Sequence, residues 1–184
     1  MKTIIFLHGL GATSEDNWFA WLEQEFSGQI KAVIPNLPHP DKPLRQEWVD
    51  AIEASLPKDI SNCYLVGHSL GGVAAIYFLA QWTGKPFAGV LMVASPMSDL
   101  GWDNLKQFFD LDIKKLDFVA IQKKSQSFRL LYSDDDPYVP LTHGAFYQMH
   151  LKAPLAIAER QGHLNQAQEP LVKEELQKLI TTAT

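Results

Sequence analysis

Six short apolar runs, set apart by longer amphipathic stretches, constrain this chain most. The runs are Ile4 to Leu7, Ala32 to Ile34, Tyr64 to Val66, Val90 to Ala94, Phe128 to Tyr132 and Leu155 to Ala158. They are near-continuous in Val, Ile and Leu, which is the pattern of strands covered on both faces. The stretches between them carry apolar residues at helical spacing. Leu44, Trp48, Val49, Ile52 and Leu56 make one stripe, and Leu171, Val172, Leu176, Leu179 and Ile180 make another. Trp18, Trp21, Leu22 and Phe26 predict a helix starting near Ser14 to Asn17, where polar side chains can cap free N–H groups. Pro170 stands where the first turn of the last helix tolerates proline. Strand then helix, repeated about six times, predicts an α/β fold with a mostly parallel sheet between two helical layers. No repeat, low-complexity segment or linker divides the chain, so residues 1–184 are expected to form a single domain. Sites in such sheets lie at the carboxyl ends of strands, so chemistry is expected directly after a strand.

Hydrophobic residues make up 46% of the chain and charged residues 20%, as in ordinary globular proteins. The net charge of -5 gives no electrostatic reason to seek nucleic acid or an anionic membrane, and neither partner is expected. The one cysteine, Cys63, forms no internal disulfide, and the first apolar run stops at His8-Gly9, too short for a secretory core segment. No stretch approaches membrane-spanning length. A cytoplasmic protein is expected, and its oligomeric state stays open.

Gly67-His68-Ser69-Leu70-Gly71 follows one of the runs and opens a helical stretch with Val73, Ala74, Tyr77 and Phe78. This is the G-x-S-x-G pattern in the strand–turn–helix setting that it requires. The turn is sharp, and Gly67 and Gly71 have no side chain to clash where strand and helix backbones nearly touch. It lifts the Ser69 oxygen above the sheet edge and aims the Leu70 N–H at the oxyanion that forms on attack. Side chains of adjacent residues on such a turn point apart, so His68 reads as structural, packing beside the elbow.

His8-Gly9-Leu10-Gly11 follows the first run, where a second oxyanion donor belongs, and Leu10 is the candidate. A dinucleotide loop competes for Gly9-x-Gly11. The third glycine is replaced by Ser14, and Ile34-Pro35-Asn36 offers no acid for a ribose, so that reading is rejected. No metal-ligand spacing is present, and no cofactor is implied.

A serine needs a base, and the base needs an orienting group. In this class the chain order is Ser, then Asp or Glu, then His. After Phe128 to Tyr132 comes Ser133-Asp134-Asp135-Asp136-Pro137, and after Leu155 to Ala158 comes Gly162-His163. Asp136 is chosen as the acid because Pro137 fixes the backbone after it, and two of the three aspartates read as a solvated turn or a helix cap. Asp99 is the second choice. His163 is chosen as base over His39, His143 and His150, which read as surface residues.

His8-Gly9-Leu10-Gly11, Asn17-Trp18, Pro35-Asn36-Leu37-Pro38, Gly67 through Gly72, Asp134-Asp135-Asp136-Pro137 and Gly162-His163 occur in order across almost the whole chain. In this the chain resembles the compact serine hydrolases related to retinoblastoma-binding protein nine. The resemblance implies a reduced α/β-hydrolase fold and a triad of Ser69, Asp136 and His163, the acid being the aspartate directly before proline. It does not carry over the protein partner in that name. A pocket-protein motif needs Leu-x-Cys-x-Glu, and Cys63 has Ser61 two residues before it and Leu65 two after.

Between Ala94 and Phe128 there is room for one or two short helices but not for a large cap. Trp18, Trp102 and Tyr138 are the candidate pocket residues, with core packing the competing reading. An apolar rim favours small acyl or aryl esters as substrates. The alternatives are a peptidase or thioesterase, or a non-catalytic protein-binding module on the same fold.

Overall fold

The computed structural model describes residues 1–182. Strands β1 (Lys2–Leu7), β2 (Ile30–Val33), β3 (Cys63–His68), β4 (Gly89–Val93), β5 (Phe128–Ser133) and β6 (Leu155–Ala158) form one sheet in the order β2-β1-β3-β4-β5-β6. Every neighbouring pair is parallel. Helices α1 (Phe19–Glu25), α2 (Arg45–Ala54), α3 (Leu70–Gln81), α4 (Phe118–Gln122), α5 (Leu141–Leu151) and α6 (Pro170–Thr182) cover the two faces.

Strand periodicity sorts the core into two clusters. Ile5, Leu7, Leu65, Val90, Met92 and Leu130 face α2, α3, α4 and α5. Ile4, Phe6, Val66, Leu91, Val93 and Leu131 face α1 and α6. Both faces are covered, which is why the central strands β3 and β4 are buried along their whole length rather than alternating. Helix α3 is buried from Leu70 to Leu79, because it lies between the sheet and α2 and α4. A helix in that position is apolar on all sides.

One expectation changes. Helix α1 begins at Phe19, with Trp18 as its cap residue and no side-chain cap. The polar residues before it close a separate turn. The Asp16 carboxylate accepts from Thr13 N at 2.7 Å and from Thr13 Oγ1 at 2.8 Å, and Asn17 turns left-handed at φ 58°. The segment between β4 and β5 holds two single 3₁₀ turns and α4. Its Leu105, Phe108, Ile113, Phe118 and Ile121 point inward. Phe108 lies edge-on to Trp48 at 5.2 Å and to Tyr77 at 5.9 Å. That segment therefore builds core, and the described residues include no large cap. No helix among the described residues is long and apolar enough to cross a membrane.

Candidate active site

The sheet order reverses between β1 and β3. The chain leaves β1 toward β2 on one side, while β3 pairs with β1 on the other. Loops diverge at such a switch point and leave a crevice at the strand ends. A cavity of about 400 Å³ opens here. It is bordered by Leu10 after β1, Ser69 and Leu70 after β3, Pro96 after β4, Tyr138 after β5 and His163 after β6.

Ser69 sits at φ 53°, ψ -123°. Such a conformation costs a non-glycine residue about 1–3 kcal/mol and persists only where its surroundings impose it. Ser69 N donates to Val93 O at 2.7 Å, and Ser69 O accepts from Gly72 N at 3.1 Å. A Cβ on Gly67 would stand 2.3 Å from Gly72 N, and one on Gly71 would stand 2.2 Å from Leu7 O. The same close approach extends to two glycines whose role the pattern does not reveal. A Cβ on Gly72 would meet Ser95 Oγ at 2.0 Å, and one on Gly9 would stand 3.0 Å from Ser69 Cβ. The first loop thus passes directly against the serine.

Leu10 and Leu70 both border the cavity. Among the described residues neither backbone N–H has an acceptor. His8 fixes the loop that carries Leu10. Its Nδ1–H donates to Gly9 O at 3.0 Å, and its Nε2 accepts from Leu37 N at 2.9 Å. Gly11 N donates to Pro40 O at 2.9 Å. The loop after β4 is anchored from below, Tyr132 and Tyr147 donating to the carbonyls of Ser95 and Pro96 at 2.7 and 2.8 Å. His143 is buried, not a surface residue, and its Nδ1 accepts from Met97 N at 3.1 Å.

Asp136 and His163 meet. Asp136 Oδ2 lies 2.7 Å from His163 Nδ1. Its other oxygen accepts from Tyr138 N at 2.8 Å and Val139 N at 3.0 Å, so the carboxylate is gripped on both sides. The Asp136 side chain is 2% exposed and that of His163 11%. Asp99 stays apart, its Oδ1 closing its own turn by accepting from Gly101 N at 3.0 Å. The Ser69 hydroxyl and His163 border one cavity without a hydrogen bond between them. Such contacts are often long in ligand-free sites and tighten on binding.

Asp134 and Asp135 lie exposed on a turn, as expected, and that turn also ties two loops together. Asp134 accepts from Arg160 N at 2.8 Å, Ser133 Oγ from Gln161 N at 3.0 Å, and Asp135 from Gly162 N at 2.8 Å. Three successive N–H groups leading to His163 are thus held by three successive side chains leading to Asp136.

Trp102 and Tyr138 border the cavity, are 39% and 49% exposed, and meet edge to face at 6.0 Å. Tyr138 lies 5.2 Å from the His163 ring. Trp18 does not belong with them. It is buried beneath the site, and its indole N–H donates to Leu164 O at 2.9 Å. An indole that must satisfy its N–H is placed by that partner as much as by its apolar area.

Burial pushes the imidazoles of His8, His68 and His143 below the usual histidine value. His68 goes furthest, to about 3, through burial first and the nearby His163 second. An unfolded histidine takes its proton near pH 6.5. Between there and pH 3 the unfolded chain binds more protons than the folded one, so stability is full above pH 6.5 and falls as the pH drops. For His68 the loss is about 1.4 kcal/mol per pH unit. Urea midpoints should therefore fall from pH 7 to pH 4.5. A midpoint that held or rose would contradict neutral burial.

A parallel sheet with a serine on a strained turn after β3, at the switch point, defines an α/β hydrolase. The chain belongs to the serine hydrolase family, whose model matches residues 4–180. It is 27% identical to the Bacillus subtilis (strain 168) protein YdeN over 164 residues, which is 88% of this chain and 85% of that one. The crystal structure of the ydeN gene product superposes with a TM-score of 0.89 at 24% identity, covering 98% of this chain and 100% of the other. Est1E from Butyrivibrio proteoclasticus, in a structure with ferulic acid bound, shares the fold at 13% identity with a TM-score of 0.78, over 100% of this chain and 89% of the other.

Proposed function

We propose that this hydrolase acts by acyl transfer on small carboxylic esters, with Ser69 as nucleophile, His163 as general base and Asp136 as the orienting acid. The observation that carries this is the 2.7 Å Asp136–His163 contact, made at the rim of the cavity that Ser69 also borders. With its Nδ1–H given to Asp136, His163 has an unprotonated Nε2 to take the Ser69 proton. The serine oxygen then bonds to the ester carbonyl carbon. The carbonyl oxygen becomes an oxyanion, met by the N–H groups of Leu10 and Leu70. His163 returns the proton to the departing alcohol. Water then cleaves the acyl-serine by the same steps, leaving a carboxylic acid and free Ser69.

Pro96, Leu100, Trp102, Leu105 and Val139 give the cavity an apolar wall suited to a short acyl or aryl group. Hydrolysis of p-nitrophenyl acetate and butyrate tests the proposal. Turnover well above buffer is expected, and rates equal to buffer would end it. Parallel thioester and amide panels separate an esterase from a thioesterase or peptidase.

Asp16 borders the cavity, and no Lys or Arg does so among the described residues. A substrate bearing a free carboxylate near the ester meets like charge. Asp16 is exposed, so the penalty is about 1 kcal/mol, or roughly fivefold in kcat/KM against a neutral isostere. Asp16→Asn should close that gap. Equal rates for both substrates with the unaltered protein would contradict the charge argument.

A further inference from the structure

We propose that His68 is a positioning residue that sets the placement of His163 relative to Ser69, a role that rests on the acyl-transfer reading above. His68 ends β3 and directly precedes Ser69 in the chain. Its Nε2 lies 2.9 Å from the backbone carbonyl oxygen of His163. A carbonyl only accepts, so Nε2 carries the proton and donates. The two imidazoles meet edge to face at 4.9 Å, and Trp18 also meets His68 edge to face at 6.0 Å.

The other nitrogen shows what this arrangement costs. His68 Nδ1 is buried with no hydrogen-bond partner among the described residues, whereas buried polar atoms are nearly always paired. Leucine or methionine would fill a comparable volume without that penalty, but neither has a donor. The ring is therefore accounted for by what its Nε2–H holds. Burial keeps His68 neutral, with its pKa down at about 3. The tautomer thus persists at working pH, and no second positive charge stands beside the imidazolium that His163 becomes.

The loop of His163 has other supports, but they come from elsewhere. Ser133, Asp134 and Asp135 hold the N–H groups of residues 160 to 162, and Trp18 holds the carbonyl of Leu164. His68 is the support that belongs to the nucleophile's own strand. It joins the backbone of the base to the residue beside the nucleophile although Ser69 and His163 make no hydrogen bond to each other.

Steady-state kinetics on p-nitrophenyl butyrate with His68→Leu and His68→Gln, together with Tm, test this. His68→Leu should lower kcat by about 10- to 100-fold, the effect of a small misplacement of reacting groups, and leave KM within about threefold. His68→Gln, whose amide N–H reaches about as far as Nε2, should recover most of the lost kcat. Undiminished kcat in a folded His68→Leu would overturn the proposal. So would an equal kcat loss in both variants. Should His68→Leu fail to fold, ¹⁵N NMR of the unaltered protein decides. An Nε2–H tautomer unchanged from pH 5 to 8 supports the role, while an Nδ1–H tautomer or a ring titrating in that range overturns it. Ser69→Ala in the same assay keeps the two readings apart. Loss of activity there beside an unimpaired His68→Leu sinks the positioning role alone, and retained activity in Ser69→Ala sinks the acyl-transfer reading.

Discussion

Ser69→Ala is expected to lower ester hydrolysis by about 10⁴-fold or more while shifting Tm by no more than a few degrees. Among the described residues the Ser69 hydroxyl makes no hydrogen bond, so its removal leaves none of them unpaired. The backbone at φ 53° is imposed by the glycines and by the Val93 carbonyl that surround the turn, and alanine meets the same constraint. Without the hydroxyl there is no acyl-enzyme. The residual rate would come from the Leu10 and Leu70 N–H groups and from binding alone. Initial rates on p-nitrophenyl butyrate and a thermal melt check both halves. A large fall in Tm would show that the hydroxyl supports the fold and would leave the rate loss without its chemical meaning.

Asp136→Asn is expected to cost about 10⁴-fold in kcat with the loop still in place. The asparagine carbonyl oxygen can accept from Tyr138 N and Val139 N as Asp136 Oδ1 does. The atom facing His163 becomes an amide N–H₂, which only donates. His163 Nδ1 must then accept, its proton moves to Nε2, and the nitrogen turned toward Ser69 can no longer take a proton. Asp99→Asn provides the contrast. Asp99 closes its own turn away from His163, so kcat should stay within about twofold, as for surface changes generally. Comparable losses in both variants would mean that charge near the crevice matters, rather than one oriented carboxylate.

The sheet was legible in the sequence because burial on both faces leaves little room for polar residues in strands such as Leu65, Val66, Leu91 and Val93. Legibility fails at the edge. Strand β2 begins at Ile30, two residues before the apolar run, because its pairing with Lys2 and Thr3 is made by backbone groups and tolerates the exposed Lys31. Helix α1 starts later than its polar lead-in implies because Thr13 and Asp16 bond each other rather than cap the helix. Ser69 sat in a strand–turn–helix pattern whose glycines have a steric cause that a sequence shows. Asp134 and Asp135 carry no such mark. Acids on a loop read as solvated, and the Arg160 and Gly162 N–H donors that they accept from lie on a loop that only the folded sheet brings alongside. Trp18 could not be divided between pocket and core from its neighbours in sequence, because the carbonyl of Leu164 that claims its indole N–H lies at the other end of the chain.

Site mapping of a fluorophosphonate adduct by mass spectrometry puts the central claim at most direct risk. One covalent adduct is expected on the native protein, confined to the peptide holding Ser69, slowed strongly in Asp136→Asn and absent after unfolding. A native protein that takes up no phosphonate, or takes it up equally on other serines, would contradict an activated Ser69.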